Sequence, residues 1–421
     1  MNRKTYQVRI SALNILQHVL FKKHKAKASI EHILSQQPWE PRDMGLLREM
    51  VYGVLRFHYA LEADVSRFIK DKPDDFTRLA LLLGAYQLRH MRIPTHAAVG
   101  ETVSAIKPYA PQAAGFVNAV LRQVATQEPP LKLKPSQRAE LPNWMYKLWR
   151  NAFGAETVSA FMSHCKHTPD LCLAILSNRE QWLETAHAAG IEARLGEFSP
   201  FAVLLSSKQR ITELPGFEAG EFIVMDQAAQ AATMAVALGH NTEHQSEHKS
   251  AFILDLCAAP GGKTALIASR FPAAKVVAVE LNTRRIPRLQ ENLKRLACDN
   301  VTILQADCAA LPYANNSVDA IMLDAPCSAS GTLRRHPDAK FLHQEADVSA
   351  AAALQNLLLK EALRVLKPSG RLVYAVCSIH PAENEEVIAN VEGVLNTTRL
   401  LPSAEHDGFF YAQIQKPQNK E

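Results

Sequence analysis

Two cysteines lie in turns that follow apolar, strand-like runs. Cys327 lies in "LDAPCSASGTLRRHPDAK", three residues after Asp324, and Cys377 ends the apolar run in "LVYAVCSIHPAENEEV". A cysteine is more often a small buried hydrophobe than a reactive group. These two differ because each occupies a turn at the carboxyl end of a predicted strand, which is where doubly wound folds bind ligands. Both are therefore candidate reactive thiols.

A thiolate beside a methyl donor is suited to methylation of carbon 5 of cytosine. That carbon is a poor nucleophile until a thiolate adds to carbon 6 and converts the ring to an enamine. The enamine then takes a methyl group, a base removes the proton from carbon 5, and elimination frees the thiol. A carboxyl group near the ring nitrogen, such as that of Asp324, would stabilise the protonated ring. This chemistry alone does not say whether Cys327 or Cys377 is the nucleophile.

The stretch "FILDLCAAPGGKTALIA", residues 252–268, passes from an apolar run through a glycine-rich turn into a helical pattern. It contains Gly262-Lys263-Thr264, the end of a triphosphate-binding loop, but such a loop needs a glycine five residues before Gly262. Cys257 occupies that position and Pro260 stiffens the interior, so the pattern disfavours an ATPase. The same strand, turn and helix can bring a nucleoside-bearing cofactor close to the backbone.

Polar or reactive side chains end five successive predicted strands, and the carboxyl ends of parallel strands meet at one edge of a sheet. Acids after strands are often only helix caps, which would explain one or two of them. Five together with a glycine-rich turn predict a ligand site at that edge. They are Asp255, Glu280, Asp307, Asp324 and Cys377.

The elements that must position these groups change character along the chain. Residues 1–128 show apolar positions at three- and four-residue steps and predict an all-helical domain. Residues 129–141 form a Pro-rich linker, and residues 142–238 mix short helices with strand-like runs and predict a small α+β module. Residues 239–421 alternate strands with helices and predict an α/β, Rossmann-like domain with a parallel, doubly wound sheet. The fold class is thus multidomain.

Composition fits a globular protein that can bury sizeable cores. The chain has 421 residues, 47% hydrophobic and 21% charged, and a net charge of +5. Residues 1–128 hold 18 Lys and Arg against 11 Asp and Glu, an excess that suits a polyanion-binding domain but also an ordinary solvated helical surface. Neither a signal peptide nor a membrane-spanning run is evident, and seven scattered cysteines favour free thiols. We expect a cytoplasmic monomer without membrane contact.

One polar stretch, "GHNTEHQSEHKS", places three histidines at four-residue spacing. A metal site would need a helix to bring them to one face, and the stretch lacks the apolar periodicity of one. We therefore predict an exposed loop and no metal. The histidines are His240, His244 and His248.

Four motifs in order resemble those of bacterial RNA cytosine-5 methyltransferases that depend on S-adenosylmethionine. They are "DLCAAPGGKT", "LDAPCSASGTLRRHPDAK", "VYAVCSIHPAENEEV" and "DGFFYAQ". The stretch "GTLRRHPDAKFL" is most similar to the RsmB (Sun/Fmu) branch, which methylates 16S ribosomal RNA. Upstream, "VYGVLRFHYALEADV", "RIPTHAAVGETVSAIK" and "GFVNAVLR" resemble the RNA-binding domain of that branch, a relative of the antitermination factor NusB. The resemblance covers nearly the whole chain.

The resemblance implies roles for individual residues. Cys377 would be the nucleophile, Cys327 would help to release the product, and Asp324 would act on the ring. Val376 departs from the usual Thr before the nucleophile, and Glu280 from the usual Asp. The methyl donor would be held by Cys257, Ala258, Ala259, Pro260, Gly261, Gly262, Lys263, Glu280, Asp307 and Asp324.

The RNA would be 16S ribosomal RNA, free or in an assembling small subunit. We also expect Arg334, Arg335 and His336, just after the Cys327 turn, to contact its phosphates, although a solvated loop would have the same composition. Two alternatives stay open: the same chemistry on transfer RNA, and a non-enzymatic RNA-binding or assembly protein.

Overall fold

Apolar residues at three- and four-residue steps form helices through the first 167 residues. Asp74 begins one helix by accepting a hydrogen bond from the Thr77 amide at 2.9 Å, and Pro94 and Pro111 precede two further helical segments. The helices bury one continuous apolar core, in which Leu79 to Leu83 are all at most 1% exposed. This core explains why the apolar periodicity runs from residue 8 to residue 124.

The computed structural model describes residues 3–206, 209–238 and 251–418 and separates into two units. The first, which we call the helical unit, comprises Met1–His167 and Leu333–Glu345; the second, the α/β unit, comprises Thr168–Thr332 and Ala346–Glu421. The first division thus falls at residue 167, whereas the sequence predicted boundaries near residues 128, 141 and 238. The segment Leu333–Glu345 joins the helical unit although α/β sequence precedes and follows it.

Within the described residues, none of the helices is both long and apolar enough to cross a membrane. The helices, numbered along the chain, are α1 (Arg3–Lys22), α2 (Ala26–Ser35), α3 (Pro41–Arg56), α4 (His58–Ser66), α5 (Asp75–His90), α6 (Thr95–Ile106), α7 (Ala114–Thr126), α8 (Pro135–Arg138), α9 (Asn143–Phe153), α10 (Ala155–Cys165), α11 (Arg179–Ala188), α12 (Gln227–Met234), α13 (Gly262–Arg270), α14 (Ile286–Arg295), α15 (Ala339–Leu342), α16 (Glu345–Val365) and α17 (Glu385–Ile388).

The strands of the α/β unit form two sheets. The smaller has four antiparallel strands in the order β2-β3-β1-β4, and the larger has seven in the order β10-β11-β9-β8-β5-β6-β7. The strands are β1 (Leu171–Ile175), β2 (Ala193–Leu195), β3 (Ala202–Leu205), β4 (Phe222–Val224), β5 (Phe252–Leu256), β6 (Lys275–Val279), β7 (Val301–Leu304), β8 (Val318–Asp324), β9 (Leu366–Val376), β10 (Val394–Leu400) and β11 (Phe409–Gln415).

The larger sheet confirms the predicted Rossmann-like architecture and adds two strands, β11 and β10, that pair in the antiparallel manner. Strands β9, β8, β5, β6 and β7 are parallel, whereas β11 lies antiparallel beside β9 and β10 lies antiparallel beside β11. The chain adds β6 and β7 on one side of β5 and then crosses to place β8 on the other. This reversal opens a crevice at the carboxyl ends of β5 and β8, the usual place for a ligand in such sheets. The histidine-containing stretch predicted to be an exposed loop lies outside the described residues.

Candidate active site

The glycine-rich turn joins β5 to α13, and two of its residues have left-handed backbone angles. Cys257 and Gly261 have φ angles of +63° and +99°, the Ala259–Pro260 peptide is cis, and the Gly261 amide donates to the Ala258 carbonyl at 2.8 Å. A Cβ added to Gly261 would lie 2.7 Å from Cδ1 of Leu289. Glycine is needed here both for the backbone angle and for the close approach of α14.

Glu280 follows β6 and is tied to this turn. Its carboxylate, 4% exposed, accepts from the Ala259 amide at 3.3 Å and the Asn282 amide at 2.9 Å, and it pairs with Arg285 at 3.2 Å. The Arg285 side chain also donates to the Ala259 carbonyl. A carboxylate offers about four lone-pair sites, so these partners leave capacity for another donor, such as a hydroxyl group.

Lys263 and Asp324 form an ion pair where β5 and β8 end. Nζ of Lys263 lies 2.8 Å from Oδ2 of Asp324. Burial disfavours the charged ammonium, but the Asp324 carboxylate and the nearby Cys377 thiol raise the pKa of Lys263 above its ordinary value. The site therefore holds a fixed positive charge beside a carboxylate and a thiol.

Asp255 lies inside β5 and is fully buried. Burial is the main cause that raises its pKa to about 7, and repulsion from Asp324 adds to it, although the Thr264 hydroxyl donates to the carboxyl group and opposes the shift. The Oδ1 atom has no hydrogen-bond partner among the described residues. A neutral carboxyl is thus favoured up to neutral pH, so Asp255 supports α13 more readily than it would bind a ligand.

The two candidate thiols lie side by side. The Sγ atoms of Cys327 and Cys377 are 3.4 Å apart, and all seven cysteines are free thiols. The Cys377 carbonyl accepts from the Gly331 amide at 3.0 Å, which fastens one turn to the other. The hydrogen bond to Cys377, and then burial, raise the pKa of the Cys327 thiol well above its ordinary value. Cys327 is therefore protonated at neutral pH and can donate its proton to the Cys377 sulfur.

Glu383 connects the turns that carry Cys327 and Cys377, and its role was not predicted from the sequence. The carboxylate is fully buried and accepts from the Ser328 amide at 2.8 Å, from the hydroxyl groups of Ser328 and Ser378, and from Nε2 of Gln355 at 3.1 Å. Ser328 follows Cys327 and Ser378 follows Cys377, so one carboxylate holds the residues next to both thiols. The only signal in the sequence was its place in "HPAENEEV", where three glutamates look alike.

Asp307, the group predicted at the end of the third strand, lies three residues beyond β7. It is exposed, and its carboxylate accepts from the Ala309 amide at 2.8 Å. This contact closes a turn and does not cap a helix, and the role of Asp307 toward a cofactor stays a prediction.

The three residues expected to contact RNA belong to the helical unit, in the segment Leu333–Glu345. Arg334 is 4% exposed, and its carbonyl accepts from Arg56 at 2.7 Å. Arg335 is half-buried and His336 is exposed. Contact with phosphates stays a prediction for all three, and exposure favours Arg335 and His336 over Arg334.

Two family models match this chain in separate regions. A model described as 16S rRNA methyltransferase RsmB/F matches residues 243–392, which include every predicted catalytic residue and the whole glycine-rich turn. A NusB family model matches residues 6–126, within the helical unit.

Curated relatives match over nearly their full length. A protein named Ribosomal RNA small subunit methyltransferase B from Vibrio vulnificus is 35% identical over 435 residues, covering 97% of this chain and 99% of the relative. A protein of the same name from Enterobacter sp. is 36% identical over 418 residues, covering 92% and 95%.

Solved structures share the fold at lower identity. The crystal structure of PH0851 has a TM-score of 0.76 at 20% identity and covers 99% of this chain and 100% of its own. The structure of NSun6 from Pyrococcus horikoshii with SFG has a TM-score of 0.56 at 18% identity and covers 66% of this chain and 99% of its own. At these identities the likeness concerns the fold alone.

Proposed function

Because the chain belongs to the RsmB/F family of 16S rRNA methyltransferases, we propose that it transfers a methyl group from S-adenosylmethionine to carbon 5 of a cytosine in 16S ribosomal RNA. The observation that carries the cytosine chemistry is the pair of thiols, 3.4 Å apart, beside the Lys263–Asp324 ion pair. Methylation at a more nucleophilic ring nitrogen or at a hydroxyl group would not need a thiol nucleophile.

The turn of residues 257–263 and the acids around it fit the methyl donor. Gly261 lets the backbone approach closely, and Glu280 offers a fixed carboxylate with capacity for a ribose hydroxyl at the end of the second strand. Asp307 and Asp324 follow the neighbouring strands, at the same edge of the sheet. S-adenosylmethionine, held by these residues, supplies an electrophilic methyl group.

Cys377 is the residue best suited to attack carbon 6. Its sulfur is close enough to the Lys263 ammonium group to raise the pKa of that lysine, and the protonated Cys327 can donate a hydrogen bond to the Cys377 sulfur at a sulfur–sulfur distance of 3.4 Å. Attack forms the bond from Cys377 to carbon 6 and makes carbon 5 nucleophilic. After methylation a base takes the proton from carbon 5, the electron pair of that bond restores the carbon 5–carbon 6 double bond as the carbon 6–sulfur bond breaks, and Cys377 departs as a thiolate.

Cys327 and Asp324 have supporting roles in this scheme. Since Cys327 holds a proton at neutral pH, it can act in the proton movements that accompany release of Cys377. Asp324, fixed by Lys263 at 2.8 Å, is an acceptor for the protonated ring nitrogen of the cytosine. The assignment of the two thiols thus has a physical argument besides the family resemblance.

Bisulfite sequencing of ribosomal and transfer RNA from cells with and without the gene tests the proposal. The expected result is one cytosine of 16S RNA that is protected from conversion in the parent and converted in the deletion strain. If a cytosine of transfer RNA loses its protection instead, the proposed chemistry is retained and the substrate is transfer RNA. If no cytosine responds, the non-enzymatic alternative replaces the proposal.

A further inference from the structure

The segment Leu333–Glu345 is anchored in the helical unit by buried polar contacts. The Ala26 amide donates to Oδ2 of Asp338 at 2.9 Å, and Nζ of Lys23 donates to the Phe341 carbonyl at 2.6 Å. Lys340, 3% exposed, donates to the Glu140 carbonyl at 2.8 Å and also pairs with the Glu140 carboxylate. The buried contacts of Asp338 and Lys340 fix the path of the segment.

This anchoring brings cationic residues from two distant parts of the sequence together. Between α1 and α2 the chain reads "KKHKAK", and the contacts of Ala26 and Lys23 place that stretch against Leu333–Glu345. The pKa of His336 reflects the positive charge of these residues. Desolvation of the ring is the first cause that lowers its pKa, although the residue as a whole is exposed; the Asp338 carboxylate opposes the shift, and Lys27, Arg335 and Lys25 lower the pKa further.

We call this surface the composite basic patch. Its lysines and His336 are exposed and Arg335 is half-buried. Lys27 pairs with Glu31 at 4.0 Å, with both side chains more than half exposed, and a pair of that kind is worth little. The patch comprises Lys22, Lys23, Lys25, Lys27, Arg335 and His336.

We infer that the composite basic patch binds phosphate groups of the RNA substrate, an inference that rests on the function proposed above. Arg335 and His336 alone could be part of a solvated loop, but four lysines beside them make a concentrated positive surface. Contacts to phosphates position a protein on RNA without reading its sequence. Cys327 precedes Leu333 by only six residues in the chain, so a continuous peptide connects the RNA contact with the reactive turn.

Charge removal with a matched control tests the patch. In the full-length protein, Lys22→Gln, Lys25→Gln and Lys27→Gln are combined, and Lys23 is kept because it donates to the Phe341 carbonyl. The control combines Lys70→Gln, Lys72→Gln and Lys107→Gln, three exposed lysines elsewhere on the helical unit. Binding of an unmodified 16S RNA transcript is measured over a range of salt concentrations, with circular dichroism to verify folding.

The patch variant is expected to lower the slope of log affinity against log salt by about 2, because each phosphate contact contributes about 0.7 on single-stranded RNA. At 0.15 M salt its Kd rises on the order of 10- to 100-fold. The control keeps the wild-type slope. A second variant, Arg335→Gln, lowers the slope by about 0.7 by itself if the segment Leu333–Glu345 contributes as well.

Two results overturn the inference. One is a patch variant that binds like the wild type. The other is a control that weakens binding as much as the patch variant, because affinity would then follow net charge alone. A failure of the proposed function looks different, since the wild type would then transfer no methyl group to the transcript. If the wild type transfers methyl groups but the patch variant binds RNA as tightly as the wild type does, the proposed function stands and only the inference about the composite basic patch is refuted.

Discussion

Removal of the Glu383 carboxylate should loosen both reactive turns at once. In Glu383→Ala the Ser328 amide loses its acceptor at 2.8 Å, while Gln355 keeps the Pro326 carbonyl at 2.9 Å and Ser378 keeps Ser330 at 3.0 Å. The Ser328 amide becomes a buried donor without an acceptor, and the hydrogen bonds to the charged carboxylate are lost. Together these losses predict a fall of about 3 kcal/mol in the free energy of unfolding. If the thiols separate by about 1 Å, a loss of about 100-fold in kcat follows.

Glu383→Gln is the matched control for this change. The amide has nearly the same size, its oxygen can accept from the Ser328 amide, and its NH2 group can donate to the Ser328 and Ser378 hydroxyl groups, which also accept hydrogen bonds. We expect a loss of stability of about 1 kcal/mol and activity within a few-fold of the wild type.

Methyl transfer from radiolabelled S-adenosylmethionine to a 16S RNA transcript, with urea denaturation of each variant, measures both effects. The KM for S-adenosylmethionine should stay unchanged, because other contacts hold the turn of residues 257–263. A purely structural role would lower the folded fraction and leave kcat per folded molecule intact. A Glu383→Ala protein that is folded at the assay temperature and has wild-type kcat would refute the reasoning.

Three further outcomes follow from the site. Cys327→Ala should accumulate a covalent RNA adduct that survives a denaturing gel, and Cys377→Ala should not; the reverse pattern would exchange their roles. Lys263→Met should lower kcat by about 100-fold, because the positive charge that pairs with Asp324 in the site is lost; a kcat within a few-fold of the wild type would exclude that role. Since the pKa of Asp255 is raised from an ordinary value near 4 to about 7, the unfolded state loses this proton first and the free energy of unfolding falls as the pH rises from about 4 to 7. Asp255→Asn should make that slope shallower in urea titrations between pH 4 and 8, and an identical slope would contradict the shift.

Local sequence predicted the frame of the site because each of its signals lies within a few residues. The glycine-rich turn was recognisable from residues 257–263, and the strand ends at Glu280 and Asp324 from apolar runs that stop at an acid. A parallel sheet then brings the carboxyl ends of its strands to one edge whatever the details of packing. The two antiparallel strands at the β9 edge were not predicted, because a run such as "FFYAQIQ" does not show the direction in which it pairs.

What only the tertiary structure decided depends on residues that are distant in the chain. The 3.4 Å separation of Cys327 and Cys377 and the buried position of Glu383 between their turns come from the packing of loops 50 and more residues apart. Desolvation, which raises the pKa of Asp255, is a property of the finished core and has no signature in a strand sequence. The same holds for Leu333–Glu345: the sequence around it reads as α/β, and only its buried contacts assign it to the helical unit.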